Sequence, residues 1–181
     1  SCVYSETDIR NLIEYAKQRG IRVMLEVDTP GHSKSWGQAY KNMTVNFCTL
    51  NADSVPLNPT IPFTLDVVSG FINEMISGSN PIFPDEFIHL GGDEVDLNCW
   101  EKNKAIEEYM TKNNLTTATL LSQWISQERK NVDDASNNNK RVMYWEDAFN
   151  YTTGLTKNSN NKTVFSVWKD KQTLHSIANS G

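Results

Sequence analysis

Residues 87–95 read Phe-Ile-His-Leu-Gly-Gly-Asp-Glu-Val, an apolar run that stops at two glycines and ends in adjacent carboxylates. The run is too short for a helix and lies between Pro84 and Gly91-Gly92, so length and flanks predict a strand covered on both faces. Glycines let the backbone turn sharply or approach a ligand closely. An aliphatic strand is also a rigid mount for Asp93 and Glu94. Two readings of these acids compete: a catalytic rim at the strand end, or the first turn of a solvated helix, where Asp and Glu are common.

The rest of the chain alternates around this strand. Ser5, Glu6 and Asp8 supply a cap and early acids, and Ile9, Leu12, Ile13 and Ala16 recur at helical spacing until Gly20. Residues 21–27 form a predicted strand with Val23, Leu25 and Val27 on one face and Met24, Glu26 and Asp28 on the other. Residues 29–62 read as a long loop broken by Pro56, Pro59 and Pro62, long enough to be functional. Val68, Phe71, Ile72, Met75 and Ile76 mark a second helix, and two more are expected near residues 104–111 and around Leu120, Leu121, Trp124 and Ile125. Residues 133–140 read as a solvated, Asn-rich turn. Strands are predicted at 141–147 and 163–170, with a helix from about Gln172. Strands alternating with helices imply a parallel α/β sheet, either doubly wound or a (β/α)8 barrel, and in both the ligand sits at the carboxyl ends of the strands.

Composition narrows the function. With 181 residues, 38% of them hydrophobic, the chain can bury a sizeable core. A net charge of -5 argues against nucleic acid, because no basic stripe is available to neutralise phosphates. No apolar run approaches the roughly 18 residues of a membrane span. The chain starts at Ser1 and stops at Gly181 just after an expected helix, and it is read as a fragment. Glycosylation acceptors occur at Asn42, Asn114, Asn150 and Asn161, while Pro59 disqualifies Asn58. With three cysteines, Cys2, Cys48 and Cys99, a secretory or lysosomal compartment is expected.

Each predicted strand ends in chemistry-capable residues: Asp28 and His32, Asp93 and Glu94, Trp145 and Asp147, Trp168 and Asp170. Four such ends in succession favour a shared pocket, although each tryptophan taken alone reads as core packing. Carboxylates beside aromatic walls suit carbohydrate, because the apolar face of a sugar stacks on indole while acids reach the glycosidic oxygen. Adjacent carboxylates cannot easily flank one scissile bond, so the nucleophile must come from elsewhere in the protein or from the substrate.

Asp28-Thr29-Pro30-Gly31-His32, then His89-Leu90-Gly91-Gly92-Asp93-Glu94-Val95, then Trp145 and Val167-Trp168-Lys169-Asp170, together resemble the family-20 glycoside hydrolases, in particular the eukaryotic lysosomal and secreted β-N-acetylhexosaminidases. The resemblance implies a (β/α)8 barrel of which this chain carries strands three to six. It also implies hydrolysis of terminal β-linked N-acetylglucosamine or N-acetylgalactosamine from glycans, glycoproteins or glycolipids, without a cofactor, by a homodimer or a related heterodimer. Glu94 would be the general acid and later the base, a role that requires a carboxyl able to hold its proton near working pH. Asp93 would orient the 2-acetamido group, whose carbonyl attacks the anomeric carbon, an exception to the two-carboxylate scheme. A nucleophile attached to the substrate has an effective concentration of order 10⁵ M or more. His32 would sit behind Glu94, with Asp28 in support, while Trp145 and Trp168 line the sugar pocket. The family also pairs Cys48 with Cys99, a closure that chain entropy alone puts at roughly 4 kcal/mol.

One motif departs from the family, which reads Trp-Gln-Glu where this chain has Trp145-Glu146-Asp147. Strands one, two, seven and eight are also missing, so the isolated chain is expected to be inactive or nearly so. Two rivals stand beside this reading. A cyclic-dinucleotide synthase would use Gly91-Gly92-Asp93-Glu94 in an acidic hairpin that needs a strand beyond the motif, and a non-catalytic glycan-binding relative would keep the pocket without turnover. A metal site from Asp93, Glu94 and Asp96 would lack clustered His or Cys ligands.

Overall fold

The computed structural model of the protein describes residues 3–45, 48, 55–152, 163–169 and 171–179. Four parallel strands lie in the order β1-β2-β3-β4: β1 is Leu25–Glu26, β2 Phe87–His89, β3 Arg141–Trp145 and β4 Thr163–Ser166. Helices α1 (Glu6–Lys17), α2 (Lys34–Ala39), α3 (Pro62–Ile76), α4 (Leu97–Lys102), α5 (Lys104–Lys112), α6 (Thr117–Ser136) and α7 (Lys171–Asn179) surround and separate them. Parallel neighbours require a crossover of a dozen or more residues, which α3 and α6 provide. Strand order follows chain order with no reversal among the described residues, as in an arc of a (β/α)8 barrel.

Side-chain alternation divides the two faces of the arc. Ile88, Leu90, Val142 and Tyr144 are fully buried against the helices, where Val68, Ile72, Leu121, Trp124, Ile125 and Val132 complete the core. Glu26, His89, Met143 and Trp145 alternate with them and occupy the opposite face, which becomes the barrel interior. The register aligns Glu26 with His89 and His89 with Met143.

The structure corrects several expected boundaries. The strand expected at 21–27 is paired in register only at Leu25 and Glu26, with one further backbone bond from Val27 N–H to His89 O at 2.8 Å. The long loop contains α2, and Pro62 opens α3 as its first residue, where its missing N–H is no loss. Helix α4 was not expected; Asp96 caps it, its side chain accepting from Asn98 N–H at 3.1 Å. The supposed turn at 133–140 begins with the last turn of α6, held by Arg129–Asp133 and Lys130–Asp134 pairs one turn apart and ended by Asn137 in the left-handed conformation. Lys140, at the end of that segment, is buried rather than solvated. Finally, β3 stops at Trp145, so Asp147 lies in a 3₁₀ turn, Glu146–Tyr151, and β4 stops at Ser166.

Candidate active site

Two turns meet beyond the carboxyl ends of β1 and β2. The first, residues 29–32, follows β1 and contains a cis Thr29-Pro30 peptide. The Pro30 carbonyl accepts from Leu57 N–H at 2.8 Å, and Ser33 N–H donates to Val55 O at 3.0 Å. The second turn is Gly91-Gly92. A Cβ on Gly91, whose φ is 66°, would lie 1.9 Å from Asp28 Oδ1, and one on Gly31 would lie 2.7 Å from the carbonyl oxygen of Asp93. Only glycine lets these two turns interlock this closely, which explains why both segments stop being strand where they do.

Interlocking brings Asp28, His32, Asp93 and Glu94 together. His32 Nε2 lies 3.6 Å from Asp93 Oδ2 and 3.6 Å from Glu94 Oε2. Gly92 N–H donates to Asp28 Oδ1 at 3.3 Å. Burial pushes the Asp28 carboxyl up to about 7, and the neighbouring Asp93 carboxyl adds to the rise while His32 opposes it. Asp93 Oδ1 is shielded and has no hydrogen-bond partner among the described residues. His32 and Glu94 both hold left-handed backbone angles, φ 46° and 48°, a conformation that is uncommon outside glycine and tends to cluster at functional sites.

Among the described residues, Asp28, His32 and Asp93 each offer a ligand atom, all within 4.8 Å of one another, a grouping different from the Asp93, Glu94 and Asp96 set that the sequence argues against. Asp96 is committed to its helix cap. No strand follows Glu94 before α4, so the acidic hairpin of the dinucleotide-synthase reading is not formed.

The tryptophans lie at the carboxyl ends of the next two strands, Trp145 closing β3 and Trp168 following β4. Trp145 Nε1–H donates to Glu26 Oε1 at 3.0 Å, and its ring lies 4.8 Å from that of His89. His89 is itself oriented, its Nδ1 accepting from Gly91 N–H at 3.0 Å; burial lowers its pKa, favouring the neutral imidazole that this acceptor role requires. Trp168 Nε1–H donates to Asp147 Oδ2 at 3.1 Å, and the other Asp147 oxygen accepts from Lys169 Nζ. Glu146, buried, accepts from Lys169 N–H at 2.8 Å. Neither Trp145 nor Trp168 is core; Trp168 is 49% exposed. A cleft of about 280 Å³ has Glu94, Glu146, Asp147 and Lys169 in its wall, whereas Asp93, His32 and the two tryptophans do not line it. Asp170 and Asn161 lie outside the described residues.

Sequence reasoning missed Glu26, His89, Glu146 and Lys169 as supports for the aromatic walls. Strand alternation could have found the first two, since Glu26 shares its face with Asp28. Cys48 and Cys99 form a disulfide that ties the loop after β1 to α4. Asn42, Asn114 and Asn150 are all exposed.

The full 181 residues match the catalytic domain of glycosyl hydrolase family 20. The chain belongs to that family. Family-20 relatives include the beta-hexosaminidase subunit beta of Homo sapiens, 39% identical over 94% of this chain, and that of Sus scrofa, 40% identical over 93%. The chain spans 30% and 31% of their respective lengths. In fold it is similar to an exo beta-N-acetylglucosaminidase from Vibrio harveyi solved with N-acetylglucosamine, with TM-score 0.74 at 23% identity, over 98% of this chain and 27% of that one. No helix among the described residues is long and apolar enough to cross a membrane.

Proposed function

We propose that the protein containing this chain is a retaining β-N-acetylhexosaminidase that removes terminal N-acetylglucosamine or N-acetylgalactosamine from glycans, glycoproteins or glycolipids. All 181 residues are one piece of a single (β/α)8 catalytic domain. The observation that carries the reading is the convergence of Asp93, Glu94 and His32 at the interlocked turns, with His32 Nε2 3.6 Å from both carboxylates. Glu94, 44% exposed and in the wall of the cleft, reaches the glycosidic oxygen and protonates it. Asp93 holds the 2-acetamido group so that its carbonyl oxygen bonds to the anomeric carbon as the leaving group departs. The positive charge that develops on the acetamido nitrogen faces the Asp93 carboxylate. Glu94, now ionised, takes a proton from water as that water opens the cyclic intermediate, and the anomeric configuration is retained. Trp145 and Trp168, each held by an acid through its indole N–H, present ring faces to the sugar.

The disulfide supports passage through an oxidising compartment, consistent with a secreted or lysosomal protein carrying glycans on the exposed Asn42, Asn114 or Asn150. Relatives named as alpha and beta subunits support a homodimer or a related heterodimer. The test is Glu94→Gln in the complete protein, assayed on a chromogenic N-acetyl-β-glucosaminide. Loss of a general acid typically costs about 10²–10⁴-fold in kcat, and an unchanged rate would remove Glu94 from the role. A parent that binds the sugar without turnover would instead mark a non-catalytic relative.

A further inference from the structure

Glu128 is fully buried and has no part in the chemistry above. It lies on α6, on the face that carries Leu121, Trp124, Ile125 and Val132 into the core. A carboxyl among apolar neighbours is costly unless it is hydrogen bonded. Glu128 Oε1 accepts from the hydroxyl of Thr29, 99 residues away in sequence and itself fully buried. Valine at 29 and leucine at 128 would fill the same space without desolvating a polar pair. What the polar pair adds is direction.

That direction matters because Thr29 stands between Asp28 and the turn that ends at His32. The far side of the turn is fixed by backbone bonds, Pro30 O with Leu57 N–H at 2.8 Å and Ser33 N–H with Val55 O at 3.0 Å. On the near side Val27 N–H bonds His89 O at 2.8 Å and Gly92 N–H bonds Asp28 Oδ1 at 3.3 Å, but Thr29 itself has only a long backbone contact, its N–H to Leu90 O at 3.4 Å, supplemented by the Glu128 carboxyl. We propose that Glu128 is a positioning residue: by holding the Thr29 hydroxyl from the helix layer, it sets the turn that delivers Asp28 and His32 to Asp93 and Glu94. Burial pushes the Glu128 carboxyl well above the usual carboxylate range; the Thr29 hydroxyl and the Trp124 indole oppose the rise and Asp28 adds to it. Burial thus favours the neutral acid, and a glutamine amide offers the same acceptor oxygen to the Thr29 hydroxyl.

The inference rests on the hexosaminidase reading for its kinetic test but not for its structural one. In the complete protein, Glu128→Leu and the milder Thr29→Val should each lower kcat about tenfold or more, since misplacement by an ångström can cost about a hundredfold, while KM moves less than about threefold. Combined, they should cost no more than either alone, as expected of two halves of one contact. Glu128→Gln should restore kcat to within about threefold of the parent, because a carboxamide oxygen keeps the acceptor. Full kcat in both Glu128→Leu and Thr29→Val overturns the inference, and so does a Gln variant as impaired as Leu. An inactive parent would defeat the hexosaminidase reading and leave the geometric test standing. That test is a crystal structure of Thr29→Val: His32 Nε2 must leave its 3.6 Å approach to Glu94, and retention of that approach overturns the proposal.

Discussion

Asp93 and Glu94 are neighbours in sequence with different surroundings: the Asp93 side chain is 16% exposed and the Glu94 side chain 44%. The left-handed backbone at Glu94 turns the second acid out of the path of the first, which suits a buried positioner beside an accessible proton carrier. Asp28 stands beside Asp93 and His32. Its carboxyl is raised from 3.8 to about 7, first by burial and then by Asp93. Between those values the unfolded chain has released a proton that the folded protein still holds. The folded state therefore binds more protons, and stability falls as pH rises through that window. Below about 4 both states are protonated and the penalty is absent, whereas above about 7 it is complete. Asp28→Asn should remove this component, so the fall in melting temperature of the complete protein between pH 4.5 and 8 should be smaller in the variant. An identical pH dependence in parent and variant would show that Asp28 titrates normally.

At the scale of elements, the site depends on the long connection from β1 to α3, which the disulfide fastens to α4. The bridge joins positions 51 apart in sequence, and removing a native closure of that size typically costs about 2–5 kcal/mol. Replacing Cys48 and Cys99 by alanine should lower the denaturation midpoint accordingly, and an unchanged midpoint would mean that the bridge contributes nothing to the complete protein. How legible an element was followed from its length and pattern. The β2 strand and its carboxylates could be read because an apolar run between Pro84 and two glycines has few alternatives. Helices α2 and α4 could not, since six residues give less than two turns of periodicity. The last turn of α6 was hidden by its polarity, as its stabilising pairs are charges one turn apart rather than apolar contacts. Glu128 was missed because a charged residue on an apolar face looks like an interruption until its partner, 99 residues away, is seen. His32 and Glu94 were found as residue types at strand ends, yet their mutual distance depends on interlocked turns that no local pattern encodes.

At the scale of the molecule, the sheet is an arc whose outer strands, β1 and β4, each have one strand neighbour among the described residues. Its interior face exposes Glu26 and Trp168, groups that a closed barrel would surround. On the outside, α1 leaves Leu12 and Tyr15 more than half exposed although it buries Ala16, so one helix face is packed and another waits for a neighbour. Open strand edges and apolar faces both favour association. A sugar placed against Asp93, Glu94 and the tryptophans would also be gripped from one side only, and the binding energy needed to hold it against the acid would be correspondingly small. The 181-residue chain produced alone should therefore elute as mixed oligomers in size-exclusion chromatography. It should also turn over a chromogenic N-acetyl-β-glucosaminide at less than about a thousandth of the complete protein's rate, since lost positioning alone is worth several powers of ten. A monodisperse monomer with turnover near that of the complete protein would mean that the four-stranded arc is a sufficient catalyst and that the rest of the barrel serves another purpose.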